Sequence, residues 1–202
     1  MTINPWKIIK SKYLIKDQWL TLRSDHCLTP QNETVDPYYV LETVDWVNIV
    51  PFDFSGQILI NHQYRHGNQK ISYEIPCGMI DAGDQSPLEA AQRELLEETG
   101  FVSKCLIDIG KLYANPARQN TTIHNYLALD VKYQQPPEFD ASENIESGLM
   151  ALPDIMKMID SGQFNHALHV SSLFLAFNYL KLLKINTDIK KYFSSDLIGK
   201  IL

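Results

Sequence analysis

Glu74-Ile75-Pro76-Cys77-Gly78-Met79-Ile80-Asp81-Ala82-Gly83 leads, two residues on, into Ser86-Pro87-Leu88-Glu89-Ala90-Ala91-Gln92-Arg93-Glu94-Leu95-Leu96-Glu97-Glu98-Thr99-Gly100. Ser86 is a helix-capping residue, Pro87 suits the first helical position, Glu89 follows three after the cap, and Gly100 supplies a stop. The spacing predicts a helix over 87–99. At about 100° per residue, Glu94, Glu97 and Glu98 share one face, while Leu88, Leu95 and Thr99 turn toward another. Those carboxylates oppose the helix: Glu94 and Glu98 are a like-charge pair four residues apart, and Glu97 and Glu98 lie at the negative end of the dipole. Each such contact costs on the order of a few tenths of a kcal/mol on a bare helix. A divalent cation reverses the sign, because carboxylate oxygens closing on Mg2+ or Mn2+ turn repulsion into shared coordination. The competing reading is a solvated acidic face, the common fate of a charge cluster. Arg93 stands beside this face, within reach of Glu97 or Glu89, and can fix a carboxylate in place.

Ahead of the helix, a short strand passes into a Gly-rich loop whose carbonyls can add ligands and whose N–H groups can face an anion. Strand, loop and acidic helix together resemble the Nudix hydrolase family, whose box reads G-x5-E-x7-R-E-U-x-E-E-x-G-U with U aliphatic. Arg93-Glu94-Leu95-Leu96-Glu97-Glu98-Thr99-Gly100-Phe101 matches the second half, with aromatic Phe101 in place of the closing aliphatic. The first half is one residue longer between Gly78 and Arg93, and Asp84 or Gln85 stands where the family has its first glutamate. That glutamate is usually structural in the family, so a modified loop around a working site is expected. The resemblance runs over residues 6–182 in the manner of the ADP-ribose and nucleoside-diphosphate-sugar pyrophosphatase branch. Gln63-Tyr64-Arg65, Glu74 to Gly78, and Asn115-Pro116-Ala117 carry it, with Pro116 sixteen positions after Gly100. The glycine that often follows this proline is replaced by Ala117-Arg118.

The resemblance implies an α+β Nudix fold, an α/β/α sandwich with a mixed central sheet, preceded by an N-terminal antiparallel β segment. It implies Mg2+ as cofactor, with Mn2+ as a possible substitute, held by Glu94 and Glu98 with Glu97 sharing and the backbone carbonyl of Cys77 completing the set. A glutamate from the loop before the last core strand is implied as base or ligand. Glu138, Asp140, Glu143 and Glu146 are available, and Glu143 is favoured with Glu146 second. Arg65 is similar to the branch's phosphate- or ribose-contacting arginine, and a surface salt bridge is the alternative. Trp46, Trp19 and Tyr39 could each stack a base, although a buried aromatic is the commoner fate. Gly78 and Pro116 complete the implied substrate contacts. The resemblance also implies a homodimer in which the N-terminal strands meet a second subunit.

Outward from this centre, residues 6–28 and 37–65 alternate apolar with polar side chains and are rich in Val, Ile, Tyr and Trp, which reads as strands. Turn clusters fall at 29–32 and 53–56. Strand-like runs return at 71–75, 105–113, 123–131 and 145–152, and helices at 153–161 and 168–183, where Leu173, Phe177 and Leu180 mark a core stripe. The chain is expected to divide into an N-terminal β segment over 1–45, a hydrolase domain over 46–184 and a tail over 185–202 that is either a small docking helix or a frayed end. With 202 residues, 45% of them apolar, one main core is expected. Eighteen Lys+Arg against 24 Asp+Glu argue against a nucleic-acid backbone or an anionic membrane as partner. Cys27, Cys77 and Cys105 are odd in number and lack metal-ligand spacing, which points to a reducing compartment. Lysines interrupt the first apolar run, and the expectation is a cytoplasmic protein. The function expected is Mg2+-dependent cleavage of ADP-ribose or a nucleoside diphosphate sugar to a nucleoside monophosphate and a sugar phosphate. The alternatives are a non-catalytic nucleotide sensor and a coenzyme A or dinucleoside polyphosphate hydrolase.

Overall fold

The computed structural model describes residues 3–140 and 143–185, so the tail beyond Ile185 lies outside the described residues. The chain divides into two units, Met1–Asp45 with Tyr113–Thr122, and Trp46–Leu112 with Ile123–Leu202. In the first unit β1 (Lys7–Lys16), β2 (Thr21–Leu28) and β3 (Thr34–Glu42) form an antiparallel sheet in that order. The alternation over 6–28 is broken at Asp17, whose carboxylate accepts the N–H groups of Trp19 and Leu20 at 2.7 and 2.8 Å and reverses the chain. Asp25 lies buried in β2, where it accepts the Ser11 hydroxyl at 2.6 Å and the Arg23 guanidinium at 2.9 Å. The later stretch joins by backbone pairing, with Leu41 N–H donating to the Arg118 carbonyl at 2.8 Å. Strand β1 is exposed along its whole length.

The second unit begins with β4 (Trp46–Pro51), β5 (Ile58–Arg65), β6 (Lys70–Glu74) and β7 (Cys77–Met79), followed by helix α1 (Pro87–Thr99). Then come β8 (Phe101–Val102), β9 (Cys105–Tyr113), β10 (Thr122–Leu129), β11 (Lys132–Tyr133), β12 (Ile145–Met150), α2 (Leu152–Asp160) and α3 (Ala167–Ile185). Strands pair in the orders β7-β4-β10-β9 and β12-β5-β6, with β8 and β11 as a separate pair. β4 and β10 run parallel, whereas β7, β6 and β12 are antiparallel to their partners. The arrangement is therefore mixed.

Adjacent apolar residues are buried together in β4 (Ile49-Val50), β5 (Ile58-Leu59-Ile60) and β10 (Leu127-Ala128-Leu129) because both faces of these strands are covered. Val47, Ile49, Leu59, Tyr126 and Ala128 pack with Ala90, Ala91 and Leu95 of α1. Val50, Ile58, Ile60, Leu127 and Leu129 pack oppositely with Ile155 of α2 and Leu173, Ala176 and Leu180 of α3. Strand side chains alternate in direction, so one run serves both layers. This is the α/β/α sandwich. Leu88 departs from the helical-face expectation: it shares the direction of Leu95 but stands in the first turn of α1, outside that cluster, and is 39% exposed.

Candidate active site

Helix α1 starts and stops as its sequence directs. Ser86 is extended and its hydroxyl accepts Glu89 N–H at 3.2 Å, while Gly100 takes a left-handed φ of 75° and donates its N–H to the Leu96 carbonyl at 2.7 Å. Glu89 reaches back to the Gln85 N–H at 2.7 Å rather than to Arg93. The helix faces a pocket of about 630 Å³, lined by Glu94, Glu97 and Glu98 together with Trp46 at the start of β4, Arg65 at the end of β5 and Cys77-Gly78-Met79 of β7. Asp81, Arg93, Glu138-Phe139-Asp140 and Glu143 close it. Seven carboxylates thus meet two guanidinium groups.

Both guanidinium groups are already engaged. Arg93 holds Asp84 through Nε at 3.1 Å and Nη2 at 2.9 Å, and its Nη1 donates to Glu94 and to Glu97 at 2.9 Å each. Of the two candidates for the place of the first glutamate, Asp84 meets Arg93 and Gln85 does not. The Asp84 side chain is shorter than a glutamate's, and the loop has one residue more in which to bring it to Arg93. The Arg93 hydrogen bonds hold the Asp84 carboxyl below its ordinary pKa. Arg65 donates from Nε to Glu74 at 2.9 Å; because Glu74 is fully buried this is not the surface salt bridge of the alternative reading, and Arg65 also lines the pocket. Burial of Glu74 would raise its pKa, but hydrogen bonds from Arg65 and the neighbouring charges outweigh that and leave it lowered.

Glu98 is 4% exposed and the Glu94 side chain 13%. Burial, with Arg93 opposing and Glu97 and Glu143 adding repulsion, pushes Glu94 up to about 7. Burial likewise drives Glu98 well above the ordinary carboxylate range, against a hydrogen bond from the Cys77 N–H at 3.0 Å. Largely buried carboxylates crowded on one face and short of positive charge are a donor set for a hard divalent cation, which prefers oxygen ligands. Gly78 permits the crowding: a Cβ there would stand 2.0 Å from Glu94 Cδ.

Glu143 lines this pocket, whereas Glu146 is exposed in β12 opposite His62 and does not. Pro116 belongs to the first unit and is not among the lining residues. Of the three candidate stacking aromatics only Trp46 lines the pocket; Trp19 is 84% exposed. Phe139 was not anticipated, and neither was Asn61, fully buried in β5, whose amide donates to Glu98 at 3.0 Å. The one sequence signal for Asn61 is a polar residue closing the apolar run Ile58-Leu59-Ile60.

Glu74, His166 and His169 form a second group of potential ligands within 4.8 Å of one another. Its charge is already met, because Arg65 pairs with Glu74. His169 accepts the Ile75 N–H on Nδ1 at 3.1 Å, and burial pushes its pKa down to about 3, so the proton of the neutral ring sits on Nε2 facing Glu74. A cation there would have to displace both the arginine and that proton.

Residues 43–168 match the NUDIX domain, and residues 6–41 match the nucleoside diphosphate sugar hydrolase N-terminal domain. The chain is 34% identical over 135 residues to ADP compounds hydrolase NudE of Escherichia coli, covering 67% of this chain and 71% of that one. It is 32% identical over 107 residues to an ADP-ribose pyrophosphatase of Bacillus subtilis, a match that spans 52% of this chain and 57% of the relative. A crystal structure of an ADP compounds hydrolase superimposes with a TM-score of 0.80 at 26% identity, over 90% of this chain and 97% of that one. With the Gly loop, the capped acidic helix and the two-faced mixed sheet all present where the matched segments fall, this chain belongs to the Nudix hydrolase family.

Proposed function

We propose that the protein is a Mg2+-dependent pyrophosphohydrolase of ADP-ribose or a nucleoside diphosphate sugar, yielding a nucleoside monophosphate and a sugar phosphate. The observation that carries this reading is the seven-carboxylate pocket on a Nudix scaffold, which repels a diphosphate unless cations intervene. The names of the relatives point to the same substrate class. Glu94 and Glu98, with Glu97 and the Cys77 carbonyl, are the proposed ligands, and Mn2+ could replace Mg2+ there. When bound, the metal neutralises diphosphate oxygens and acidifies a water. Arg93 holds Glu94 and Glu97 in register. Glu143 takes the proton of the attacking water, whose oxygen bonds to one phosphorus as the P–O–P bond breaks and the bridging oxygen leaves on the other phosphate. Arg65 meets phosphate or ribose oxygens and Trp46 the base, while Gly78 keeps the Glu94 side open. Glu146 is secondary in this reading, since it does not line the pocket, and Pro116 stays a proposed substrate contact.

The proposed assembly is a homodimer through the N-terminal strands. Support comes from Ile8, Ile9, Tyr13, Leu14 and Ile15, all at least 42% exposed on β1, which leave apolar side chains uncovered on both faces of the strand. Light scattering on the eluting protein tests it. The proposed compartment is the cytoplasm, consistent with three free thiols. A panel of ADP-ribose, nucleotide sugars, nucleoside triphosphates and coenzyme A, read by monophosphate release with Mg2+, tests the activity. The highest kcat/KM is expected on ADP-ribose or a nucleotide sugar. Higher efficiency on triphosphates or coenzyme A overturns the substrate class, and binding without turnover would make the protein a sensor.

A further inference from the structure

Asn61 occupies a position that the pattern of β5 reserves for an apolar side chain. It lies two residues after Leu59, hence on the α1 side of the sheet, and is fully buried. A primary amide buried there is tolerated only with hydrogen-bond partners. Two are present. Asn61 Nδ2 donates to Glu98 Oε2 at 3.0 Å, and Asn61 Oδ1 accepts the Ser147 hydroxyl at 2.7 Å. The pairing fixes the amide's orientation, since turning it over would set an amide oxygen against a carboxylate oxygen. Ser147 stands directly opposite Asn61 in the β5–β12 register, so the two strands together aim the donor. The Cys77 N–H donates to the same Glu98 oxygen at 3.0 Å from β7. Both hydrogen bonds land on Oε2, which leaves Oε1 for a cation.

Resting on the metal-site reading above, we propose that Asn61 and Ser147 are positioning residues: they lock the Glu98 carboxylate so that one oxygen is committed to the protein and the other is presented to the divalent ion. A ligand free to rotate loses affinity because its orientation must be fixed at the moment of binding, and partners that orient metal ligands are typically worth about 10- to 100-fold in affinity. Ser147 acts one step further out, since its hydroxyl reaches the Glu98 carboxylate through Asn61 and otherwise meets only the Glu98 backbone carbonyl at 3.5 Å, so its loss weakens binding less.

The test measures Mn2+ binding to the full-length protein by electron paramagnetic resonance, alongside kcat at saturating Mn2+. Asn61→Leu keeps the volume and removes the donor; its Mn2+ dissociation constant should rise by roughly 10- to 100-fold. Ser147→Ala should raise it by a smaller factor, and Ser147→Thr, which keeps the hydroxyl, should restore it. In both weakened variants saturating Mn2+ should recover much of kcat, a split that general loss of folded protein would not produce. Should Asn61→Leu not fold, Ser147→Ala and its threonine rescue carry the test. Glu98→Gln separates the two ideas. If it weakens Mn2+ binding while Asn61→Leu and Ser147→Ala bind as the parent does, the positioning proposal is overturned and the metal site stands. If Glu98→Gln itself binds Mn2+ normally, the metal site falls and the proposal with it.

Discussion

At position 78 the requirement for glycine is one of distance. The atoms that a Cβ would meet are the far end of Glu94, a side chain that can swing away. Gly78→Ala is therefore expected to keep the fold and its thermal midpoint while displacing a proposed ligand, so that the Mg2+ concentration for half-maximal rate rises; unchanged metal dependence would contradict the crowding argument. Glu143 and Glu146 are separated on similar grounds. Glu143 lines the pocket and Glu146 faces away from it on β12, so Glu143→Gln should lower kcat by at least about tenfold and Glu146→Gln much less. Steady-state kinetics decide, and a larger loss at Glu146 exchanges the two roles. Arg93 was expected beside Glu97 or Glu89; it takes Glu97, Glu94 and Asp84, because Glu89 is occupied at the capped end of the helix.

Helix α1 carries unfavourable charge, so its ends matter. Removing the Ser86 hydroxyl by Ser86→Ala should cost about 1 kcal/mol, as for other N-caps. Gly100→Ala should cost more, because a Cβ in left-handed backbone is unfavourable by roughly 1–2 kcal/mol and would also stand 2.0 Å from the Gln135 carbonyl oxygen. Urea denaturation ranks the two, and equal midpoints would refute the steric argument at Gly100. The helix was legible from its caps and period, since both are local. The break between β1 and β2 was not marked by glycine or proline; the Asp17 side chain makes the turn, a signal that alternation of apolar residues conceals.

Across the whole molecule, the buried acids couple metal, pH and stability. The Glu94 pKa rises from the ordinary 4.5 to about 7 on folding, through burial first, and Glu98 moves the same way. An acid raised in the folded state contributes stability below its unfolded pKa and loses it as pH climbs through the folded value. The metal-free protein should therefore lose thermal stability between about pH 5 and about pH 8 on account of Glu94, with Glu98 acting in the same direction, and saturating Mg2+ should restore it most at the upper end. Calorimetry in chelator and in Mg2+ at both pH values tests this, and a difference between the two conditions that does not grow with pH would count against carboxylate ligation.

Sequence alone determined the parts whose geometry is short-ranged. Capping residues and a 3.6-residue period fix which of Glu94, Glu97 and Glu98 share a face, and alternating apolar runs fix strands, because both depend on neighbours a few residues away. What only the tertiary structure decided is how distant segments meet. Whether Asp84 or Gln85 holds Arg93, which loop carboxylate lines the pocket, and that Asn61 with Ser147 grips Glu98 all follow from strand register and loop path. Ser147 is 86 residues from Asn61, and a shift of one residue in their register would turn its side chain to the opposite face.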